Sequence, residues 1–177
     1  MVIIIAGAVI VLLVLWVVSC RRSLFAMDEN ISNAMAQIGV QISSCFDVLD
    51  VLLYLIKEYA DHEVQTLIGT VKSRRSTITA ISTPNDVLEQ MEIIAGVLDR
   101  IFEMAERYPD LKTDENYAKY MNAMNSYEKM LNTSRLIYND SVNKLNREMR
   151  MFPTSLIARV FGFRRRDYLE VVEEKAK

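Results

Sequence analysis

The chain has 177 residues, of which 51% are hydrophobic, with only 5 Gly and 3 Pro, a composition that favours long helices over a β-rich fold. A formal net charge of −2 gives no basic field, so nucleic acid is not an expected partner. Two cysteines are too few for a disulfide framework and have no metal-ligand spacing.

The first twenty residues, MVIIIAGAVIVLLVLWVVSC, carry no charged side chain and are followed at once by Arg21 and Arg22. A helix of about 20 apolar residues spans the roughly 30 Å hydrocarbon core of a bilayer. Because the positive charges follow the apolar run, we interpret it as an uncleaved anchor. The positive-inside rule then places the N-terminus outside and the rest of the chain in the cytoplasm.

One alternative concerns Cys20. The residues VVSC (17–20) are similar to a bacterial lipoprotein processing box, which would make Cys20 the lipid-bearing residue and place the domain outside the cytoplasm. The missing basic region before the apolar run and the arginine pair directly after the cysteine favour the transmembrane anchor instead.

After the anchor, apolar residues recur at steps of three and four along four stripes. The stripes cover 24–49, 52–78, 87–108 and 117–152, with a turn at STPND (82–86) and prolines at 109 and 153. This pattern predicts an all-α chain: an N-terminal transmembrane helix and an antiparallel up-and-down bundle of about four long helices. Periodicity leaves the first boundary open, because Asp47 could cap a new helix or one very long helix could leave the membrane.

Asn125, Asn132, Asn139 and Asn146 are seven residues apart, so they line one side of a single helix, at the flank of its apolar seam. Glu128 and Arg135 fall on the seam itself, and we expect each to bind another helix. One interpretation is that these polar groups fix helix register. The other is that they form a polar groove for a partner helix or peptide.

Several motifs resemble the LemA family of bacterial membrane-anchored helical proteins, and the similarity covers nearly all of the chain after the anchor. The motifs are NAMAQIGVQI (33–42), KEYADHE (57–63), VKSRR (71–75), RYPDLKTDENY (107–117) and YNDSVNKLNREMRMFPTSLIARVFGF (138–163). The resemblance implies one N-terminal membrane helix, a mostly four-helix bundle and no established catalytic residues. MamQ proteins of magnetosomes are similar to this family too, which favours organisation at a membrane over catalysis.

The chain departs from the family pattern in the first helix. It has QISSCFD (41–47) where the family usually has a basic run, and Asp50 where the family often has a proline. The missing proline favours one continuous helix, and the missing basic run argues against a partner contact through it.

His62 is the only histidine, and it is followed by Glu63. A helical zinc-protease motif needs a second histidine four residues after the first, where this chain has Thr66. We therefore expect a hydrogen bond on the helix surface or between helices. A hydrolase with a site built between helices is the less favoured alternative.

The segment 152–172 combines aromatic and basic residues that suit an anionic membrane surface. The candidate contacts are Arg159, Phe161, Phe163, Arg164, Arg165 and Arg166. Alternatively, Leu156, Ile157, Val160 and Phe161 fold back to cap the bundle. The acidic residues that follow, Glu170, Glu173 and Glu174, reduce the positive field and favour this second interpretation.

Together these patterns predict an anchor at 1–20, a helical bundle at 21–163 and a charged C-terminal tail at 164–177. The predicted function is a non-enzymatic scaffold or adaptor at the bacterial cell membrane that binds other proteins or itself. No catalytic residue, cofactor, metal or small-molecule substrate is predicted. The alternative is a membrane-remodelling protein that uses residues 152–172.

Overall fold

A computed structural model describes residues 1–170. The described part is helical, with six helices and no strand, and this confirms the predicted all-α class. In chain order the helices are α1 (Val2–Ile56), α2 (Asp61–Arg74), α3 (Pro84–Arg107), α4 (Pro109–Thr113), α5 (Glu115–Glu148) and α6 (Thr154–Val160).

Helix α1 is a single helix of 55 residues, so the boundary that periodicity left open does not fall at Asp47. At about 1.5 Å per residue it is roughly 80 Å long. Its first part is exposed and apolar, and from Leu24 to Ile56 one face is buried in the bundle core. Asp50 lies within the helix and accepts a hydrogen bond from Arg75 at 3.4 Å.

The long helices alternate in direction. Helix α2 runs back along α1, so that Arg75, just beyond its end, reaches Asp47 at 2.8 Å. Helix α3 returns, and Arg107 in its last turn donates to both oxygens of Glu63 in the first turn of α2, at 2.9 and 2.7 Å. Helix α5 then lies antiparallel along α1 and forms the most extensive helix pair of the bundle.

The starts of α3 and α5 are fixed by side-chain caps. Thr83 and Asp86 form a reciprocal capping box, in which the Thr83 N–H donates to Asp86 Oδ2 at 2.7 Å and the Asp86 N–H donates to Thr83 Oγ1 at 3.3 Å. Asp114 Oδ1 accepts the N–H groups of Asn116 and Tyr117 at 2.7 and 3.2 Å. These caps satisfy backbone donors that a helix start leaves free.

Helices α3 and α5 both pack on α1 but make little direct contact with each other. Beyond α6, Gly162 turns the chain with a φ of 74°, a conformation that glycine adopts without steric cost. The residues that follow, 163–170, are not helical and lie beside α5. Residues 164–170 belong to the predicted charged tail, whereas the rest of that tail, 171–177, lies outside the described residues.

Candidate functional site

The asparagine side of α5 binds the chain's own segment 163–170 through its backbone. The Leu169 N–H donates to Asn139 Oδ1 at 2.8 Å, and Asn139 Nδ2 donates to the Leu169 carbonyl at 3.1 Å. One asparagine amide therefore satisfies both backbone groups of a single residue. A side-chain amide can do this because it offers a donor and an acceptor side by side, as a peptide group does.

Asn146 repeats the same arrangement one heptad later. Its Nδ2 donates to the Arg166 carbonyl at 2.9 Å, and its Oδ1 accepts the Arg166 N–H at 3.1 Å. Asn146 is only 5% exposed, so these bonds are shielded from water. Because buried polar groups are costly when unpaired, the two backbone groups of Arg166 depend on this one side chain.

The two asparagine contacts, which we call clamps, are in register because the spacing of the asparagines along α5 matches the spacing of the bound residues along the segment. Seven residues of α-helix advance about 10.5 Å, and three residues of extended chain advance about 10 Å. Asn139 and Asn146 are seven apart, and the residues that they bind, Leu169 and Arg166, are three apart. The segment runs antiparallel to α5, because the later residue Leu169 is bound by the earlier asparagine.

Side chains of the segment reinforce the backbone clamps. Leu169 is buried in the core at 1% exposure, and Phe163 packs partly against it. The Arg166 guanidinium donates to both oxygens of Asp28 on α1, at 2.8 and 3.0 Å, and this contact raises the pKa of Arg166. The Tyr138 hydroxyl donates to the Asp167 carbonyl at 3.0 Å.

The other two asparagines of the stripe lie beyond the part of the segment that the structure describes. Asn125 and Asn132 are both exposed, and Asn132 Oδ1 accepts a hydrogen bond from Arg135 Nη1 at 3.0 Å. The expected bond from Arg135 to another helix is therefore replaced by a bond within α5. Within residues 1–170, Arg135 Nε is buried without a partner, and burial lowers the pKa of this guanidinium.

A groove of about 250 Å³ opens beside Asn132, where α3 and α5 separate above α1. Glu128, the other charged residue of the α5 seam, lies at its edge. The remaining lining residues are mostly apolar: Cys45, Met91, Ile94, Ala95 and Leu131. Burial raises the pKa of the Cys45 thiol to about 11, and the nearby Glu128 carboxylate contributes to the shift.

Helix α6 lies at the level where the apolar part of α1 ends. Cys20 Sγ donates to Thr154 Oγ1 at 3.5 Å, and the Arg21 guanidinium lies 5.0 Å from the centre of the Phe161 ring. Of the four residues expected to cap the bundle, only Ile157 is buried. Leu156 and Val160, one helical turn apart on α6, are exposed, and so is Phe152, which precedes the helix, with Phe152 and Val160 each at 80%.

The six candidate membrane contacts divide into two groups. Arg159, Arg164 and Arg165 are exposed near the end of the apolar segment, and Phe161 is 44% exposed. Arg166 is bound to Asp28, and Phe163 packs against the core, so these two hold the C-terminal segment on the bundle.

His62 lies exposed in the first turn of α2, and its neighbour Glu63 is bound to Arg107. Within the described residues, no group of three or more histidine, cysteine, aspartate or glutamate side chains is arranged to hold a metal ion. The Glu63 carboxylate thus joins α2 to α3.

Sequence patterns indicated the asparagines but not what they bind: Arg166 was predicted as a membrane contact, and Leu169 was not predicted to have a role. Asp28, Tyr138 and Leu169 were not singled out, because their roles depend on the chain turning back at Gly162. The available signal was the three-residue spacing of Arg166 and Leu169, which spans nearly the same distance as seven residues of helix.

The structure defines a class of protein: an all-α chain with one long apolar N-terminal helix that continues into a helical bundle. The apolar part of α1 is a candidate membrane span, since an 18-residue window has a mean hydropathy of 3.0 and none of it is buried. The LemA family model matches residues 34–177, and the chain belongs to the LemA family. A search of curated proteins found no similar sequence.

Proposed function

We propose that this chain is a non-enzymatic, single-pass membrane adaptor that holds extended protein segments on the asparagine side of α5. Membership of the LemA family and the candidate span of α1 support the placement at a membrane. The orientation with the bundle in the cytoplasm rests on Arg21 and Arg22 after the apolar run.

The observation that carries the proposal is the pair of clamps at Asn139 and Asn146. Each amide binds the backbone N–H and carbonyl of one residue of the segment, and these bonds do not depend on which side chain that residue carries. Binding through main-chain groups gives affinity, and neighbouring pockets give specificity, as in other modes of peptide recognition. The stripe continues to Asn132, where the apolar groove offers such a pocket.

The continuity of α1 supports a scaffolding role. Because one helix joins the apolar segment to the bundle core, the position of the bundle relative to the anchor is fixed by the helix itself. A partner held on α5 would therefore be held at a defined distance from the membrane.

Site-specific crosslinking in cells tests this proposal. A photoreactive residue at Asn132, in the full-length protein in native membranes, should attach to one or a few partner proteins or to a second copy. The same residue at Asn122, an exposed asparagine on the solvent side of α5, is the matched control. Equal attachment from both positions, or attachment to lipid alone, would count against an adaptor.

Helix α6 favours a second candidate function, contact with the membrane surface. The apolar residues Leu156 and Val160 on α6 and Phe152 just before it are exposed, as is Arg159. Thr154 and Phe161 contact Cys20 and Arg21 at the end of the apolar segment. Such a helix suits the interface of an anionic bilayer, where it would support membrane remodelling.

This second function is tested with a nitroxide label on Leu156→Cys in a Cys20→Ser chain, reconstituted in vesicles that contain anionic lipid. Shielding of the label from a water-soluble relaxation agent, compared with a label on Thr133→Cys, would support the contact. Equal accessibility at the two positions would exclude it.

A further inference from the structure

We propose that a cleft at the membrane end of the bundle binds the phosphate-bearing headgroup of an anionic membrane lipid. The cleft has a volume of about 620 Å³ and lies between α1, the start of α3 and the segment 161–167 that follows α6. The inference rests on one part of the proposed function, the placement of the apolar part of α1 in a membrane. It does not depend on the adaptor role of α5.

The cleft lies at the level of the lipid headgroups. Its walls meet at two contacts: the Arg21 guanidinium lies 5.0 Å from the centre of the Phe161 ring, and Arg166 donates to both oxygens of Asp28. Arg21 directly follows the apolar run of α1, and Asp28 is seven residues further, or about 10 Å along the helix. The polar layer of a bilayer is roughly 5–8 Å thick on each side of the hydrocarbon core. The Arg21 end of the cleft therefore lies where the phosphate groups of lipids are.

The charges of the cleft favour an anion. Four arginines and two aspartates line it: Arg21, Arg164, Arg165, Arg166, Asp28 and Asp167. The lining thus carries an excess of two positive charges. Arg166 and Asp28 neutralise each other, whereas within residues 1–170 the other three arginines form no ion pair with a carboxylate. Guanidinium groups bind phosphate through paired N–H donors, so these three supply the chemistry that a headgroup phosphate requires.

The apolar residues of the cleft favour a lipid over a soluble anion. Phe25 lies one helical turn after Arg21 on α1, and Phe161 contacts Arg21 from the other wall. Both aromatic rings are exposed. A soluble phosphate would leave them in water, whereas the glycerol and first methylene groups of a lipid would cover them, which is favourable. Basic and apolar groups that lie together at this level suit a lipid with an anionic headgroup.

Native mass spectrometry of the full-length protein in detergent tests the site. The protein is titrated with phosphatidylglycerol or phosphatidylcholine of the same acyl chains, so that the two lipids differ in headgroup charge. We expect the protein to retain one phosphatidylglycerol molecule at a severalfold lower concentration than phosphatidylcholine. Equal retention of the two lipids would overturn the proposal.

Substitutions in the cleft wall show whether the lipid binds there. Arg164→Gln with Arg165→Gln should lower the retention of phosphatidylglycerol severalfold, toward that of phosphatidylcholine. The matched control is Arg150→Gln with Arg159→Gln, which removes the same charge from two exposed arginines that do not line the cleft. An equal loss in the two double variants would show that the lipid responds only to the overall charge, and the cleft would then not be its site.

Two further measurements distinguish a lipid from a soluble phosphate. Glycerophosphoglycerol, the headgroup of phosphatidylglycerol without acyl chains, should not displace the lipid at equal concentration. Phe25→Ala should weaken the retention of the lipid, whereas Leu136→Ala, at an exposed apolar residue of α5, should not. Displacement by the free headgroup at equal concentration, or unchanged retention in Phe25→Ala, would contradict a lipid site.

The inference and the proposed function fail separately. Flotation of the full-length protein with phosphatidylcholine vesicles reports whether α1 enters a bilayer, whichever headgroup the cleft prefers. Crosslinking from Asn132 reports on protein partners and does not involve the cleft. A protein that floats with the vesicles but retains both lipids equally would have its anchor and no headgroup site.

Discussion

Asn139 on α5 and Leu169 in the C-terminal segment are joined by two hydrogen bonds, at 2.8 and 3.1 Å, in which one side-chain amide satisfies both backbone groups of the leucine. The contact spans 30 residues of sequence and buries Leu169 at the same time. It ties the end of the described chain to the middle of α5.

Replacing either clamp should loosen the segment. Asn139→Ala and Asn146→Ala each leave an N–H and a carbonyl without their partner, at a cost of about 1–3 kcal/mol. The effect should be larger for Asn146, which is nearly buried and whose partner residue also holds Asp28. Thermal unfolding of the detergent-solubilised protein measures the loss.

Asn122→Ala is the matched control, because this asparagine lies on the exposed side of α5. Limited trypsin digestion gives a second measurement, since a released segment exposes the bonds after Arg164, Arg165 and Arg166 to the protease. Cleavage at the same rate in all three alanine variants would show that the amides do not hold the segment.

The Arg166–Asp28 ion pair should contribute less to the stability of the fold than either asparagine does. Its two bonds, at 2.8 and 3.0 Å, have bidentate geometry, but both side chains retain contact with water. We expect a coupling energy of about 0.2–1 kcal/mol from a double-mutant cycle of Arg166→Ala and Asp28→Ala. The coupling should fall at high salt, and a coupling that is independent of salt would contradict a pair that contacts water.

The heptad spacing of the asparagines could be identified from the sequence, and so could the helical class and the turn at STPND (82–86) before α3. What the amides bind could not be identified, because periodicity describes one helix at a time. The partner of Asn146 is 20 residues away and not helical, so it has no heptad signal of its own. The sequence left two interpretations of these polar residues open, helix register and a groove for a partner helix or peptide, and in the structure two of the asparagines hold the chain's own non-helical segment.

The end of α1 is a second feature that could not be located from the sequence. The structure places the break after Ile56, where Tyr59 and Ala60 turn the chain into α2. No glycine or proline marks this turn, and the preceding apolar stripe continues through it. The position is set instead by the packing of α2 on α1, including Val64 and Val71, which are buried.

The capping box at the start of α3 predicts a dependence of stability on pH. Hydrogen bonds from the Thr83 backbone and side chain lower the pKa of Asp86 below its usual value of 3.8. Because the folded-state pKa is the lower one, the ionised carboxylate stabilises the fold above pH 3.8, and this contribution is lost as the pH falls through the folded-state pKa.

Asp86→Asn should therefore lower the unfolding temperature near neutral pH and have less effect in strong acid. Unfolding temperatures of the wild type and the variant, measured across the acid range, should converge as the pH falls. Glu92→Gln, on the exposed surface of α3, is the control. A difference between wild type and Asp86→Asn that persists unchanged in strong acid would mean that the cap does not act through its charge.

Gly39 gives the sharpest test of packing, because it has two natural controls. A Cβ added at Gly39 would overlap the backbone carbonyl of Ile78, in the connection between α2 and α3. That connection cannot move freely, because the Gln90 amide binds Ser76 N and Arg74 O on the same stretch, at 2.8 and 3.2 Å. Gly39→Ala should therefore destabilise the bundle, by about 1–3 kcal/mol for overpacking.

Gly69 and Gly96 also lie within helices, but nothing would touch a Cβ at either position. Alanine at these sites should stabilise the fold by roughly 0.5–1 kcal/mol, because glycine is the poorer helix former. Opposite changes in stability for the same substitution would show that α1 needs a residue without a side chain at position 39, so that the α2–α3 connection can approach the helix. If Gly39→Ala instead stabilises the protein as the other two do, the connection is free to shift, and the close approach at Ile78 does not hold the α2–α3 pair in place.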